Sequence, residues 1–81
     1  MAENKFKDLN CVSIRKPVRA LAFGKPGHYK NFPAGSIGTV IDSYTNAYWV
    51  EFSGEPAKDG LIYEYYSATI AEEDLELYSE H

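Results

Sequence analysis

The chain has very little cysteine: Cys11 stands alone among 81 residues. One thiol excludes an intramolecular disulfide, and no Cys/His spacing fits a zinc site. No apolar run approaches the roughly 18 residues that a membrane span needs. The opening residues, Met1-Ala-Glu-Asn-Lys-Phe-Lys, are polar and have none of the character of a signal peptide. No internal repeat and no low-complexity segment interrupts the pattern. A lone free thiol fits a reducing compartment better than an oxidising one. These absences lead us to expect a soluble, cytoplasmic chain held by packing alone. Its length suits one domain, which we place at residues 11–78 behind a flexible segment, 1–10, anchored only by Phe6.

Net charge is −4, but the two signs are segregated. Residues 1–40 carry seven Lys and Arg against two acids, and residues 41–81 carry Lys58 against ten acids. A closed barrel interleaves distant strands, so the halves are expected to neutralise each other in the fold. The acid-rich second half argues against nucleic acid as a partner, because phosphate contact needs a net basic surface.

What the chain has in quantity is aromatic side chains: Trp49, four Phe and seven Tyr. Each buries about 150–250 Å², so a few of them can build a small core. Cys11-Val12-Ser13-Ile14 alternates as a first strand, with a continuation at Val18 beyond Pro17, a residue that cannot donate to a ladder. Residues 22–35, punctuated by Pro26, Gly27 and Pro33, read as a long loop after strand one. Gly35-Ser-Ile-Gly-Thr-Val40 opens a strand running to Tyr44. Gly35 and Gly38 supply positive φ or close backbone approach, and Asn46 is the left-handed residue of the following hairpin. Along the next strand Val50 and Phe52 face inward, and Trp49 shares the outward side with Glu51. Ser53–Gly60 reads as a polar turn and Leu61–Tyr66 as a fourth strand. Thr69-Ile-Ala-Glu72 fits a capping box opening one short helical turn, before a last strand holding Leu75 and Leu77. Together these elements predict an all-β fold: a small SH3-like barrel of about five strands.

Candidate chemistry is sparse. His28 has no carboxylate or nucleophile near it in sequence, so it reads as a loop histidine rather than an acid–base group. Cys11 reads as a small buried hydrophobe rather than a nucleophile. Ser36 lacks both the nucleophile-elbow spacing and a following helix. Gly24, Lys25 and Gly27 lack the phosphate-loop spacing. Glu72, Glu73, Asp74 and Glu76 read as a solvated turn rather than a cation site. We therefore expect no catalytic residue, no cofactor and no metal.

The Gly35–Val40 segment, Val50-Glu51-Phe52 and the closing Thr69…Glu73-Asp74-Leu75 resemble an uncharacterised bacterial family of small SH3-like barrel domains. The outline is also similar, more distantly, to photosystem I subunit IV and the electron-transport accessory barrels. Both resemblances imply a module that binds other macromolecules and supply no catalytic residue; with the absences above, we expect a non-enzymatic module of a bacterial cytoplasm, off the membrane. The aromatics supply the surface: Trp49, Tyr44, Tyr63, Tyr65, Tyr29 and Phe32 are too many for one small core. They are expected to dock a protein partner, or a second copy of the chain, around Trp49 and the 22–35 loop. The alternative is a nucleic-acid- or ribosome-associated barrel using a basic strip of Arg15, Lys16, Arg19, Lys25 and Lys30.

Overall fold

The computed structural model describes residues 5–24, 26–56 and 63–79. Within them lie seven strands: β1 (Cys11–Ile14), β2 (Val18–Ala22), β3 (Tyr29–Phe32), β4 (Ile37–Tyr44), β5 (Ala47–Pro56), β6 (Tyr63–Ala71) and β7 (Leu75–Ser79). A single 3₁₀ turn, Glu72–Asp74, separates the last two. All pair antiparallel in one sheet of order β3-β2-β6-β5-β4-β1-β7, curled into a half-barrel. Register irregularities at Val40/Asp42, Ser53/Pro56 and Cys11/Val12 supply the local bends and extra twist that such curling needs. No helix among the described residues is long and apolar enough to cross a membrane.

The strand count exceeds the five expected, and the 22–35 loop is the main reason. Tyr29–Phe32 is a strand, paired with β2 from Val18↔Phe32 to Leu21↔Tyr29. Pro26-Gly27 and Pro33 frame this four-residue run so closely that their punctuation hides it. Pairing with β2 then gives Phe32 an apolar destination that local sequence cannot reveal.

Two other expectations need correction. Ser53 does not begin a turn, because β5 continues to Pro56 and pairs with β6 at Ser53↔Tyr65 and Pro56↔Tyr63. The rest of the expected turn, and Leu61 and Ile62, lie outside the described residues. Nor does Thr69 cap a helix: Thr69 and Ile70 belong to β6, and the 3₁₀ turn starts after Ala71 with no side-chain cap. The Glu72 carboxylate is used across the fold instead.

The core fills the concave face. Val12, Ile14, Ala20, Phe32, Val40, Tyr48, Val50, Phe52, Ile70 and Leu75 are buried there, with Phe6 added from the N-terminal side. Full burial of a side chain such as Val, Ile or Phe contributes about 1.5–3 kcal/mol. Phe32 stacks on Phe52 with centroids 4.7 Å apart and meets Tyr66 edge-on at 5.7 Å. Phe6 packs edge-on against Tyr48 at 5.2 Å. Gly38 permits the closest approach, since a Cβ there would lie 2.5 Å from Val50 Cγ1 and 2.9 Å from Phe52 Cε1.

The convex face follows from the same alternation. One register row runs Tyr29–Leu21–Ser67–Glu51–Thr39–Cys11 across six strands. Cys11 lies in this row and is half-buried, not a core residue as expected. Gly35 (φ +92°) and Asn46 (φ +59°) hold the left-handed conformations that their turns require.

Candidate functional site

Val50 points into the core with zero exposure, so the two-residue period turns Trp49 outward, where it is 38% exposed. It pairs with Thr69 of β6 on one side and Asp42 of β4 on the other. The irregularity between Val40 and Asp42 sets Ile41 and Asp42 together against this stretch of β5, and both are exposed. Tyr44 opposes Ala47, two residues from Trp49 on the same face, so it lies diagonally within reach of a long side chain. Trp49, Ile41 and Tyr44 form an apolar group bordered by Asp42 and Glu51.

The remaining expected aromatics do not join that group. Tyr65 opposes Ser53, four residues or about 13 Å along the strand from Trp49. It keeps company with Phe23, whose N–H donates to the Tyr65 carbonyl at 2.8 Å, and with Leu21, opposite Ser67. Tyr29 sits on β3, three strands from β5. Phe32 is removed from the surface altogether: at 7% exposure it belongs to the core, stacked on Phe52. The Tyr63 side chain lies outside the described residues. Ile41, Leu21 and Phe23 are among the exposed apolar residues that sequence reading missed, as are Leu9, Ile37, Leu77 and Tyr78 elsewhere on the surface. Ile41 was recoverable from the outward phase next to Val40, whereas Leu21 and Phe23 depended on recognising β2 as a full strand.

The basic strip divides as well. Arg15 pairs with Glu76 at 3.3 Å and its Nε donates to the Leu75 carbonyl at 3.4 Å. Lys16 pairs with Asp74 at 3.1 Å. These contacts join the basic first half to the acidic second half across β1 and β7. Lys30 lies on the inward phase of β3, with Nζ 5.5 Å from the Phe32 centroid and 5.8 Å from that of Tyr66. Arg19 faces outward, its guanidinium 4.2 Å from the Tyr29 ring centroid. Lys25 lies outside the described residues.

One pair of groups titrates away from its ordinary range. The Tyr48 hydroxyl donates to the Glu72 carboxylate and accepts the Phe6 N–H at 3.1 Å, while the same carboxylate accepts the Lys5 N–H at 3.2 Å. Burial, then the bond to Glu72, pushes the Tyr48 phenol up. The Tyr48 bond, then the Lys5 N–H, holds the Glu72 carboxyl down. Both partners are engaged in tying the N-terminal segment to the sheet. Beside them Asn46, Ala71, Glu72 and Glu73 line an open concavity of about 400 Å³.

Other candidates have structural assignments. The Ser36 hydroxyl donates to the Pro33 carbonyl at 2.7 Å and closes a turn. His28 is exposed at the end of the β2–β3 hairpin, where its carbonyl accepts the Ala22 N–H. Among the described residues, no group of three or more His, Cys, Asp or Glu side chains is arranged to hold a metal ion. No protein-family model matches the chain, and no curated protein or solved structure is significantly similar to it.

Proposed function

We propose that this protein is a non-enzymatic binding module of the bacterial cytoplasm, built as an SH3-like barrel, and that it docks a protein partner on the convex face around Trp49. The curled antiparallel sheet and the 3₁₀ turn before the closing strand support the barrel assignment and agree with the family resemblance of the Gly35–Val40 and Val50–Phe52 segments. Fold alone does not identify a task, so the argument for docking rests on the face itself. The carrying observation is that Trp49 lies outward and over one-third exposed beside Ile41 and Tyr44. Exposed Trp and Tyr concentrate binding energy at protein interfaces, and their amphipathic rings suit a surface that is alternately wet and covered.

The border of the face selects the partner's chemistry. Asp42 opposes Trp49 across the ladder and Glu51 follows it on the same face of β5. Such a border favours a basic protein segment carrying an apolar anchor. It disfavours a symmetric pair of these faces, which would oppose acid to acid.

The test uses the chain as bait in native cells, followed by measurement of the recovered partner with purified components. Trp49→Ala should remain folded, with a cooperative melt, and lose tenfold or more in affinity, while Tyr65→Ala binds normally. Affinity unchanged by Trp49→Ala would refute the reading. Self-association detected by light scattering and abolished by the same variant would replace the foreign partner with a second copy.

A further inference from the structure

From Leu9 to Ile41 the sequence contains no Asp or Glu but carries Arg15, Lys16, Arg19, Lys25 and Lys30. The fold places the β2–β3 hairpin inside this acid-free stretch. Arg15 and Lys16 are committed to Glu76 and Asp74. Arg19 has no carboxylate partner among the described residues and instead lies over the Tyr29 ring at 4.2 Å. A cation–π contact of this kind uses none of the guanidinium's N–H groups as hydrogen-bond donors and leaves them available to an anion.

The hairpin assembles further donors around it. Arg19 faces Asn31 across the ladder, and Leu21 faces Tyr29. The turn bends through Gly24 (φ +73°) and Gly27 (φ +84°), both in the region that disfavours a side chain. The bend brings His28 alongside, and Arg19, Gly27, His28, Tyr29 and Asn31 line an open concavity of about 550 Å³. Its side chains offer guanidinium, amide, imidazole and phenol donors, with no acid among the residues that line it. Tyr29 is 51% exposed, leaving ring surface on which a planar group can stack.

We propose that this concavity binds a nucleoside phosphate, free or within a single strand: the phosphate meets Arg19 and Asn31, and the base stacks against Tyr29. The site is separate from the Trp49 face and does not depend on the reading given for it. Arg19 is the anion-binding residue, Tyr29 is the stacking platform, and the hairpin supplies their fixed spacing.

The experiment is an amide and side-chain NMR titration of the full chain with uridine 5′-monophosphate, deca-uridylate, inorganic phosphate and O-phosphoserine. The proposal expects saturable shifts at Arg19, His28, Tyr29 and Asn31 with the mononucleotide, and binding at least tenfold weaker to inorganic phosphate. Tighter binding of deca-uridylate, falling steeply with salt, assigns the strand as the source; equal affinity assigns the free nucleotide. Arg19→Gln and Tyr29→Leu should each weaken nucleotide binding tenfold or more with unchanged melts, and Trp49→Ala should not. Should Tyr29→Leu lower the melt, Asn31→Ala provides the second variant, with the same loss expected. Absence of shifts at these residues at millimolar nucleotide would overturn the proposal. So would O-phosphoserine binding as tightly as the mononucleotide, since it has no base to stack.

Discussion

The Tyr48 hydroxyl donates to the Glu72 carboxylate across 24 residues of sequence, and the same oxygen accepts the N–H of Phe6. A fully buried ring thereby fixes the N-terminal segment, the 3₁₀ turn and β5 to one another. Tyr48→Phe keeps the ring and removes the oxygen, leaving the Phe6 N–H without its acceptor. An unsatisfied buried donor costs about 1–3 kcal/mol, so the variant should lose that amount in urea denaturation. Amide exchange should accelerate first at Lys5 and Phe6.

The same pair sets a pH dependence. Glu72 titrates lower in the folded chain than in the unfolded one. Its contribution is therefore fully present above the ordinary carboxyl value of about 4.3 and is lost as pH falls through the lower folded value. Tyr48 titrates higher when folded, so its contribution is present below about pH 10 and is lost as pH rises through the raised value. Denaturation midpoints across pH should fall at both extremes. Glu72→Gln should flatten the acid limb and, because Glu72 helps to raise Tyr48, soften the alkaline limb as well, leaving there the part that burial sets. An unaltered acid limb would mean that other carboxylates govern acid unfolding.

Gly38 is a packing requirement on β4. A Cβ there would sit 2.5 Å from Val50 Cγ1, 2.9 Å from Phe52 Cε1 and 3.0 Å from the Glu51 carbonyl oxygen. All three belong to the strand it faces, and both side chains are core residues. Gly38→Ala should destabilise by about 1–3 kcal/mol through overpacking. Phe52→Ala, which opens a cavity beside Phe32, should lose about 3–5 kcal/mol. For a domain this small, that is enough to unfold much of the population. Urea denaturation of both variants checks the order.

Leu9 holds φ +69° while 58% exposed, and its N–H donates to the Val40 carbonyl at 2.7 Å. A left-handed leucine costs about 1–2 kcal/mol and buries little in return. Leu9→Gly should therefore leave stability unchanged or raise it by up to about 1 kcal/mol despite the lost side chain. A thermal melt several degrees below wild type would contradict this.

Much of this organisation was legible because the strands alternate cleanly where one face is buried. Val40, Val50 and Phe52 inward, Trp49 outward, left-handed Asn46 and close approach at Gly38 all follow from period and glycine chemistry. The β3 strand was not legible: Tyr29-Lys-Asn-Phe32 has no local signal stronger than its flanking prolines and glycines, and only pairing with β2 defines it. That single omission also put Phe32 on the surface. Thr69 matched a capping pattern, but tertiary pairing with Trp49 kept it in a strand. The Trp49 half of the candidate face could be read from phase. The Arg19–Tyr29 cation–π contact required the hairpin.

The central claim is that Trp49 serves an interface and not the core. The direct measurement is isothermal titration of the recovered partner into wild type and Trp49→Ala, with a thermal melt of each. The account predicts a variant that still melts cooperatively, with a stability loss below the roughly 3–5 kcal/mol of a core aromatic truncation, because Trp49 is only partly packed on the sheet. It also predicts a loss of about 2 kcal/mol or more in binding, as for an interface anchor. Equal affinities accompanied by a collapsed melt would place Trp49 in the structural core and contradict the account.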